Sequence, residues 1–136
     1  MLSSRVCGVD VMIFDTDIFI WVQRGNSKAA ALIDGAKDRF LSIQTYMELL
    51  QCAKDKQQLR LVKRFIADFR FSVLPLTENI GHRALVYVEE YSLSSGMRAG
   101  DAIIAATASE SGMPLATGNA KHFKVVKELE LKIFKP

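Results

Sequence analysis

Residues 11–17, Val-Met-Ile-Phe-Asp-Thr-Asp, constrain the fold more than any other stretch. An apolar run ends abruptly in two carboxylates, and a second apolar segment, Ile18-Phe19-Ile20-Trp21-Val22, follows at once. Four or five apolar residues bounded in this way read as a fully buried central strand, here running directly into a helix. Asp15 then stands at the carboxyl lip of that strand. Open α/β sheets bind their ligands at this lip, where the strand order reverses, so Asp15 is a candidate site residue before the rest of the chain is considered.

The remaining pattern alternates. Residues 17–23 read as a short helix ended by Gly25-Asn26, and Ser27 is placed to cap a second helix reaching Gly35. Phe40-Leu41-Ser42-Ile43 reads as a strand, and Thr45 as the cap of a helix with Tyr46, Leu49, Leu50 and Ala53 on its apolar side. After a charged turn at residues 54–56, Val62, Phe65, Ile66 and Phe69 recur at helical spacing, with Arg60, Lys63, Arg64 and Asp68 off the stripe. Phe71-Ser72-Val73-Leu74 makes a third strand closed by Pro75, and Thr77 caps a helix reaching Leu93. Gly100 precedes the most apolar helix, residues 101–111; Pro114-Leu115-Ala116-Thr117 and Leu131-Lys132-Ile133-Phe134 supply two more strands. Strands alternating with helices predict a three-layer α/β/α architecture around a mostly parallel sheet of four or five strands, joined by right-handed crossovers.

A chain of 136 residues supports one domain. Residues 1–10 read as an N-terminal extension, with Met12 as an alternative start, and residues 11–136 as the domain. The apolar runs fall far short of the ~20 residues of a membrane span, and residues 1–9 lack the apolar core of a signal peptide. Cys7 and Cys52 are no disulfide framework; Cys52, inside a helical pattern, is expected to be a small buried hydrophobe, which fits a reducing cytoplasm. A net charge of +3 permits a nucleic-acid partner without requiring one.

Four polar positions fall at equivalent places on this map. Asp15 ends the first strand, Glu48 lies in the first helical turn after the second, Asp101 opens the apolar helix, and Thr117-Gly118-Asn119 ends the fourth strand. A parallel sheet carries all of them to one edge. Two ionised carboxylates ~5 Å apart repel by about 3 kcal/mol at an effective dielectric near 20, unless one takes a proton or a cation intervenes. Hard oxygen donors with room for water suit Mg²⁺ or Mn²⁺. Each residue also has a plainer reading. Thr45-x-x-Glu48 matches a capping box, Asp101 complements a helix dipole, and Asp15 or Asp17 can cap the helix that follows. Arg24, Arg98, Lys121 and Lys124 fall in or beside loops flanking the groove, placed to hold phosphates or simply to face solvent. His122 reads as packed or hydrogen-bonded near the fourth strand, and His82 as structural. Trp21 and Phe123 read as core or groove wall, with stacking on a base as the alternative.

Taken in order, Ile13-Phe14-Asp15-Thr16-Asp17, the segment Ser42-Ile43-Gln44-Thr45-Tyr46-Met47-Glu48-Leu49-Leu50, the segment Gly100-Asp101-Ala102-Ile103-Ile104-Ala105-Ala106-Thr107-Ala108 and the segment Leu115-Ala116-Thr117-Gly118-Asn119-Ala120-Lys121-His122-Phe123 resemble the PIN domain superfamily. Within it they are most similar to the VapC-type toxin ribonucleases. The resemblance implies a Mg²⁺- or Mn²⁺-dependent endoribonuclease that cuts RNA. It also implies a homodimer, and a cognate antitoxin whose C-terminal segment lies across the acidic groove. By motif, Asp15, Glu48 and Asp101 match the metal-binding acids, and Asn119 matches the polar catalytic position after the fourth strand. Thr16, Asp17, Arg98, Thr117 and Lys121 stand beside these as substrate-contacting positions. Two departures leave the metal count and the fourth ligand open: Asp17 stands where the family often has Asn, and His122 where it often has Asp.

Granted a metal, the ion would hold a phosphate oxygen and acidify a bound water for in-line attack, with the carboxylates acting as ligands and one relaying a proton. Two other readings compete. Asp15-Thr16-Asp17 resembles the Asp-x-Asp of haloacid-dehalogenase-like phosphatases, but Phe19 stands where those enzymes have Thr or Val, and no acidic pair follows a late strand. A non-catalytic PIN-like module binding RNA or protein is the second, and the retained acids argue against it, since a phosphate backbone is bound better without them. In the helix pair spanning residues 45–69 the second helix is short of polar cover if left outside, which points to dimerisation there.

Overall fold

The computed structural model describes residues 11–136, so the expected N-terminal extension and Cys7 lie outside the described residues. The chain forms β1 (Val11–Phe14), α1 (Thr16–Gln23), α2 (Ser27–Gly35), β2 (Asp38–Ser42), α3 (Ile43–Gln51) and α4 (Lys56–Asp68). It continues through β3 (Phe71–Leu74), α5 (Glu78–Ser95), α6 (Ala99–Ser111), β4 (Leu115–Thr117), α7 (Ala120–Phe123) and β5 (Leu131–Ile133). The five strands lie in the order β3-β2-β1-β4-β5, and every neighbouring pair is parallel. The chain winds outward from β1 to β3, then returns to build β4 and β5 on the other side of β1. The order therefore reverses between β1 and β4, where Ile13 pairs Leu115 and Phe14 pairs Ala116.

Strand alternation distributes the core between the two faces of the sheet. Ile13 and Leu115 point to one face, against α5, α6 and the segment carrying Phe123, Val126 and Leu129. Met12, Phe14, Leu41 and Ala116 point to the other, against α1, α2, α3 and α4. On that second face Phe14 meets Phe19 and Phe71 edge-on, at centroid distances of 6.4 and 5.7 Å. Phe65 stacks on Phe69 at 4.5 Å. Arg39 reaches over from β2 to close the carboxyl ends of two helices: Nε donates to the Ile33 carbonyl at 2.7 Å and Nη1 to the Phe69 carbonyl at 2.9 Å. Its guanidinium also lies over the Phe69 ring. A cation is favoured at such ends, where the last carbonyls lack partners.

Several local expectations are corrected. Asn26, not Ser27, caps α2, its side chain accepting from the Ala29 N–H at 2.9 Å. Ser42 caps α3 in place of Thr45, because β2 passes into the helix with no intervening loop; its Oγ accepts from the Thr45 N–H at 3.0 Å. Glu48 consequently sits in the second turn of α3, and the capping-box reading of it fails. Cys52 is exposed rather than buried, since α3 ends there. The short α7 was not anticipated from the pattern. No helix among the described residues is long and apolar enough to cross a membrane.

Phe14 is fully buried and central to the aromatic cluster. Replacing it with alanine should cost about 3–5 kcal/mol, read as a lower urea midpoint at unchanged m-value.

Candidate active site

Asp15 follows β1 immediately and is the N-cap of α1. Its Oδ1 accepts from the Thr16 N–H at 2.7 Å, and its Oδ2 accepts from the Thr117 hydroxyl at 2.7 Å. Its own N–H donates to the Ala116 carbonyl at 2.9 Å, extending the β1–β4 ladder by one residue. The residue is 5% exposed. Burial, helped by the charges of Asp17 and Asp101, pushes its carboxyl up to about 7 against the lowering effect of the Thr117 and Thr16 hydrogen bonds.

Asp17 faces the same rim. Its Oδ2 accepts from the Gly118 N–H at 2.9 Å, while its Oδ1 is buried with no hydrogen-bond partner. Burial raises its carboxyl as well. Gly118 makes room for this contact: a β-carbon there would lie 2.8 Å from Asp17 Oδ2, which would have to shift.

Glu48 reaches the rim from α3. Its Oε1 accepts a short hydrogen bond from the Thr16 hydroxyl, and its Oε2 accepts from Gln44 Nε2 at 2.9 Å. Thr45 Oγ1, released from capping, lies 3.0 Å from Thr16 Oγ1. Thr16 has one proton to give, so a Thr45 → Thr16 → Glu48 order satisfies all three groups. Glu48 also overhangs the first turn of α6, where a β-carbon at Gly100 would meet its Oε2 at 2.9 Å.

Asp101 is the third residue of α6 rather than its first. Its Oδ2 accepts from the Arg98 N–H at 3.2 Å and lies 2.9 Å from His122 Nδ1. Asn119 Nδ2 lies 2.9 Å from that same nitrogen, and the Asn119 N–H donates to Thr117 Oγ1 at 2.9 Å. Close polar contacts thus connect Asp101, His122 and Asn119, and hydrogen bonds run from Asn119 through Thr117 to Asp15 and on through Thr16 to Glu48.

The four positions singled out in the sequence, Asp15, Glu48, Asp101 and Asn119, therefore share one rim. Of the flanking positions, Arg98 and Lys121 are exposed there. Thr16 and Thr117 spend their hydroxyls on Glu48 and Asp15, and Thr117 is fully buried, which removes it from contact with a substrate. Arg24 lies over the Trp21 ring at 5.5 Å. Phe123 is fully buried, which excludes base stacking. His82 is exposed and lies 3.6 Å from Glu78. Sequence reasoning missed Gln44 and the meeting of His122 with Asp101. Gln44 carried a signal, one helical turn before Glu48; His122 carried only its place three residues after Asn119.

No three acidic, histidine or cysteine side chains among the described residues are gathered closely enough to enclose a metal. The donors nevertheless suit a hydrated divalent ion, which binds through one or two carboxylates and keeps several waters. A cation at this rim would relieve both the orphaned Asp17 Oδ1 and the charge of Asp15.

The sign of the Asp15 shift gives a metal-free test. The folded state holds this proton more tightly than the unfolded chain, whose carboxyl keeps the ordinary value of 3.8. Its contribution to stability is full below pH 3.8 and is lost as pH rises through about 7. At ~1.4 kcal/mol per pKa unit the ceiling on that loss is about 4 kcal/mol. Asp15→Asn should therefore raise the melting temperature at pH 8 in EDTA and change it little near pH 4, as calorimetry will show.

Comparison with known proteins bears on the family and the fold. The PIN domain family model matches residues 12–129. Ribonuclease VapC10 of Mycobacterium tuberculosis is 34% identical over 124 residues, covering 88% of this chain and 91% of the relative. A toxin–antitoxin complex from Klebsiella pneumoniae superposes with a TM-score of 0.73 at 27% identity, over 87% of this chain and 94% of that one. VapBC2 from Rickettsia felis, bound to a DNA fragment from its promoter, gives 0.72 at 18% identity over 92% and 99% of the two chains; its likeness bears on the fold alone. With the family match spanning β1 to the segment before β5, and the carboxylates set at the switch point of an all-parallel sheet, the chain belongs to the PIN domain family.

Proposed function

We propose that the protein is a metal-dependent endoribonuclease, the toxin of a toxin–antitoxin pair, hydrolysing RNA phosphodiester bonds with Mg²⁺ or Mn²⁺. The observation that carries this reading is Asp15, a carboxylate buried beside Asp17 and Asp101 at the point where the strand order reverses. Membership of the PIN family and the 34% identity to Ribonuclease VapC10 support it.

Asp15, Asp101 and Glu48 are the residues that would hold the ion, with Asn119 beside them. When bound, the ion supplies an acidified water near neutral pH and offsets the charge that develops on the phosphate. The chain's own residues supply positioning. Thr16 and Thr117 fix both oxygens of Asp15, so its carboxylate cannot rotate away from the rim. Thr16 and Gln44 fix those of Glu48, and each carboxylate oxygen retains a lone pair with which to accept a proton from solvent. Asp17 pins the Gly118 turn, which sets the position of Asn119. Arg98 and Lys121 are exposed beside these groups and meet the RNA backbone through its phosphates.

The antitoxin belongs to the same reading, its C-terminal segment lying across the acidic rim, and the dimer is expected on a different face. An apolar groove of about 670 Å³ opens between α1, α3 and α4, walled by Phe19, Leu49, Leu61, Val62, Phe65 and Phe69. Open apolar surface of this kind marks a protein partner. The expected homodimer would draw on the α3–α4 pair that walls this groove, and a toxin that cuts RNA is expected to act in the cytoplasm. Light scattering of the isolated chain should give twice the monomer mass; a monomer alone counts against the dimer.

Cleavage is tested on structured RNAs with Mg²⁺ or Mn²⁺, wild type beside Asp101→Asn. The wild type should cut and lose activity in EDTA, and the variant should be slower by on the order of 100-fold. Cleavage that survives the substitution removes Asp101 from the site, and binding without cleavage of any RNA favours a non-catalytic module.

A further inference from the structure

We propose that Trp21 and Arg24, on the face of α1 that begins at Asp17, form a second contact site for single-stranded RNA. An unpaired base stacks on the indole, and the guanidinium holds the neighbouring phosphate. The inference rests on the nuclease reading for the identity of the polymer, and it places on the protein a nucleotide that lies outside the carboxylate rim.

At 3.6 residues per turn, Trp21 and Arg24 fall within ~40° of Asp17 around α1, about 6 and 10 Å further along its axis. Asp17 turns toward the end of β4, where its Oδ2 accepts from the Gly118 N–H. The same face therefore leads from the rim along the β4 side of the helix. Across β4, Lys132 is in register with Ala116, whose side chain lies in the core shared with α1. Residues in register share a face, so the exposed Lys132 belongs to the α1 side of the sheet edge. A strand with one phosphate at the rim thus has an aromatic ring and two cations beside its next nucleotides.

The two side chains are set as a pair. Arg24 is exposed, and its guanidinium lies over the Trp21 ring at 5.5 Å from the centroid. That is close enough for cation–π attraction but beyond the ~3.5–4 Å of face-to-face contact, so the ring is not sealed. Trp21 itself is half-buried, packed against the second core and open to solvent on its remaining surface. Neither Arg24 nor Lys132 forms an ion pair with a carboxylate among the described residues, which leaves both to meet phosphates. Bases inside a duplex are already stacked, so an aromatic side chain of this kind selects unpaired nucleotides. An RNA strand satisfies ring and cations together, whereas an acidic peptide answers only the cations.

The chain has one tryptophan, so intrinsic fluorescence reads this site alone. The probe is a single-stranded RNA of about ten nucleotides, titrated at low salt in EDTA so that the strand stays whole. Emission should be quenched saturably by the RNA and not by polyglutamate. With fluorescein-labelled RNA followed by anisotropy, Trp21→Ala should weaken binding about tenfold, and Trp21→Phe, which keeps an aromatic face, much less. Arg24→Gln should lower the slope of log K against log salt by about 1. Bound RNA without quenching, equal quenching by polyglutamate, or unchanged binding in Trp21→Ala overturns the site, as does absence of binding. Cleavage in Mg²⁺ by a protein that fails these tests keeps the nuclease reading. Passing them without cleavage in Mg²⁺ or Mn²⁺ keeps the site and removes the nuclease. If Trp21→Ala does not fold, the wild-type quenching and the Arg24→Gln slope decide.

Discussion

A carboxylate withdrawn from water at the end of β1 is the constraint on which the rest of the rim depends. Burial of an ionised group is unfavourable unless its charge is opposed, and no cationic side chain pairs with Asp15 among the described residues. Two hydrogen bonds stabilise it and two neighbouring carboxylates destabilise it, with the balance toward the protonated form. The fold accepts this local instability because β1, flanked by β2 and β4, cannot expose its end without opening the centre of the sheet. Such a conflict between local stability and global packing is the usual mark of a site shaped by function.

The rim is braced by hydroxyls, one amide and two glycines. Thr16, Thr117 and Gln44 each direct a donor at a carboxylate oxygen without adding positive charge that would cancel the site's attraction for a cation. Gly100 and Gly118 supply the missing volume, since a β-carbon at either place would collide with an acidic oxygen. Electrostatics and shape are therefore handled by different residues, and substitutions at the two kinds of position have separable effects.

Much of this was legible in the residues because the strongest signals are also the least negotiable. Short apolar runs alternating with helical stripes dictate a parallel sheet, and parallel geometry alone carries the ends of β1, β2 and β4 to one edge. Asp15 was legible for the same reason. Helix starts were harder: Ser42, Thr45, Asn26 and Ser27 are all competent caps, and which one acts is settled by where the preceding strand or turn releases the chain. Cys52 was misread because helical spacing does not reveal that α3 ends there. The contact of His122 with Asp101 spans 21 residues and two helices, and no local pattern encodes it.

The close approach at Gly100 has a mechanical side. α3 and α6 belong to opposite layers of the sandwich, separated by the sheet along most of its extent. Only over the top edge do they touch, and there Glu48 rests on the backbone of α6 with no side chain as cushion. The separation of Glu48 from the helix that carries Asp101 is therefore set by backbone and not by an intervening side chain.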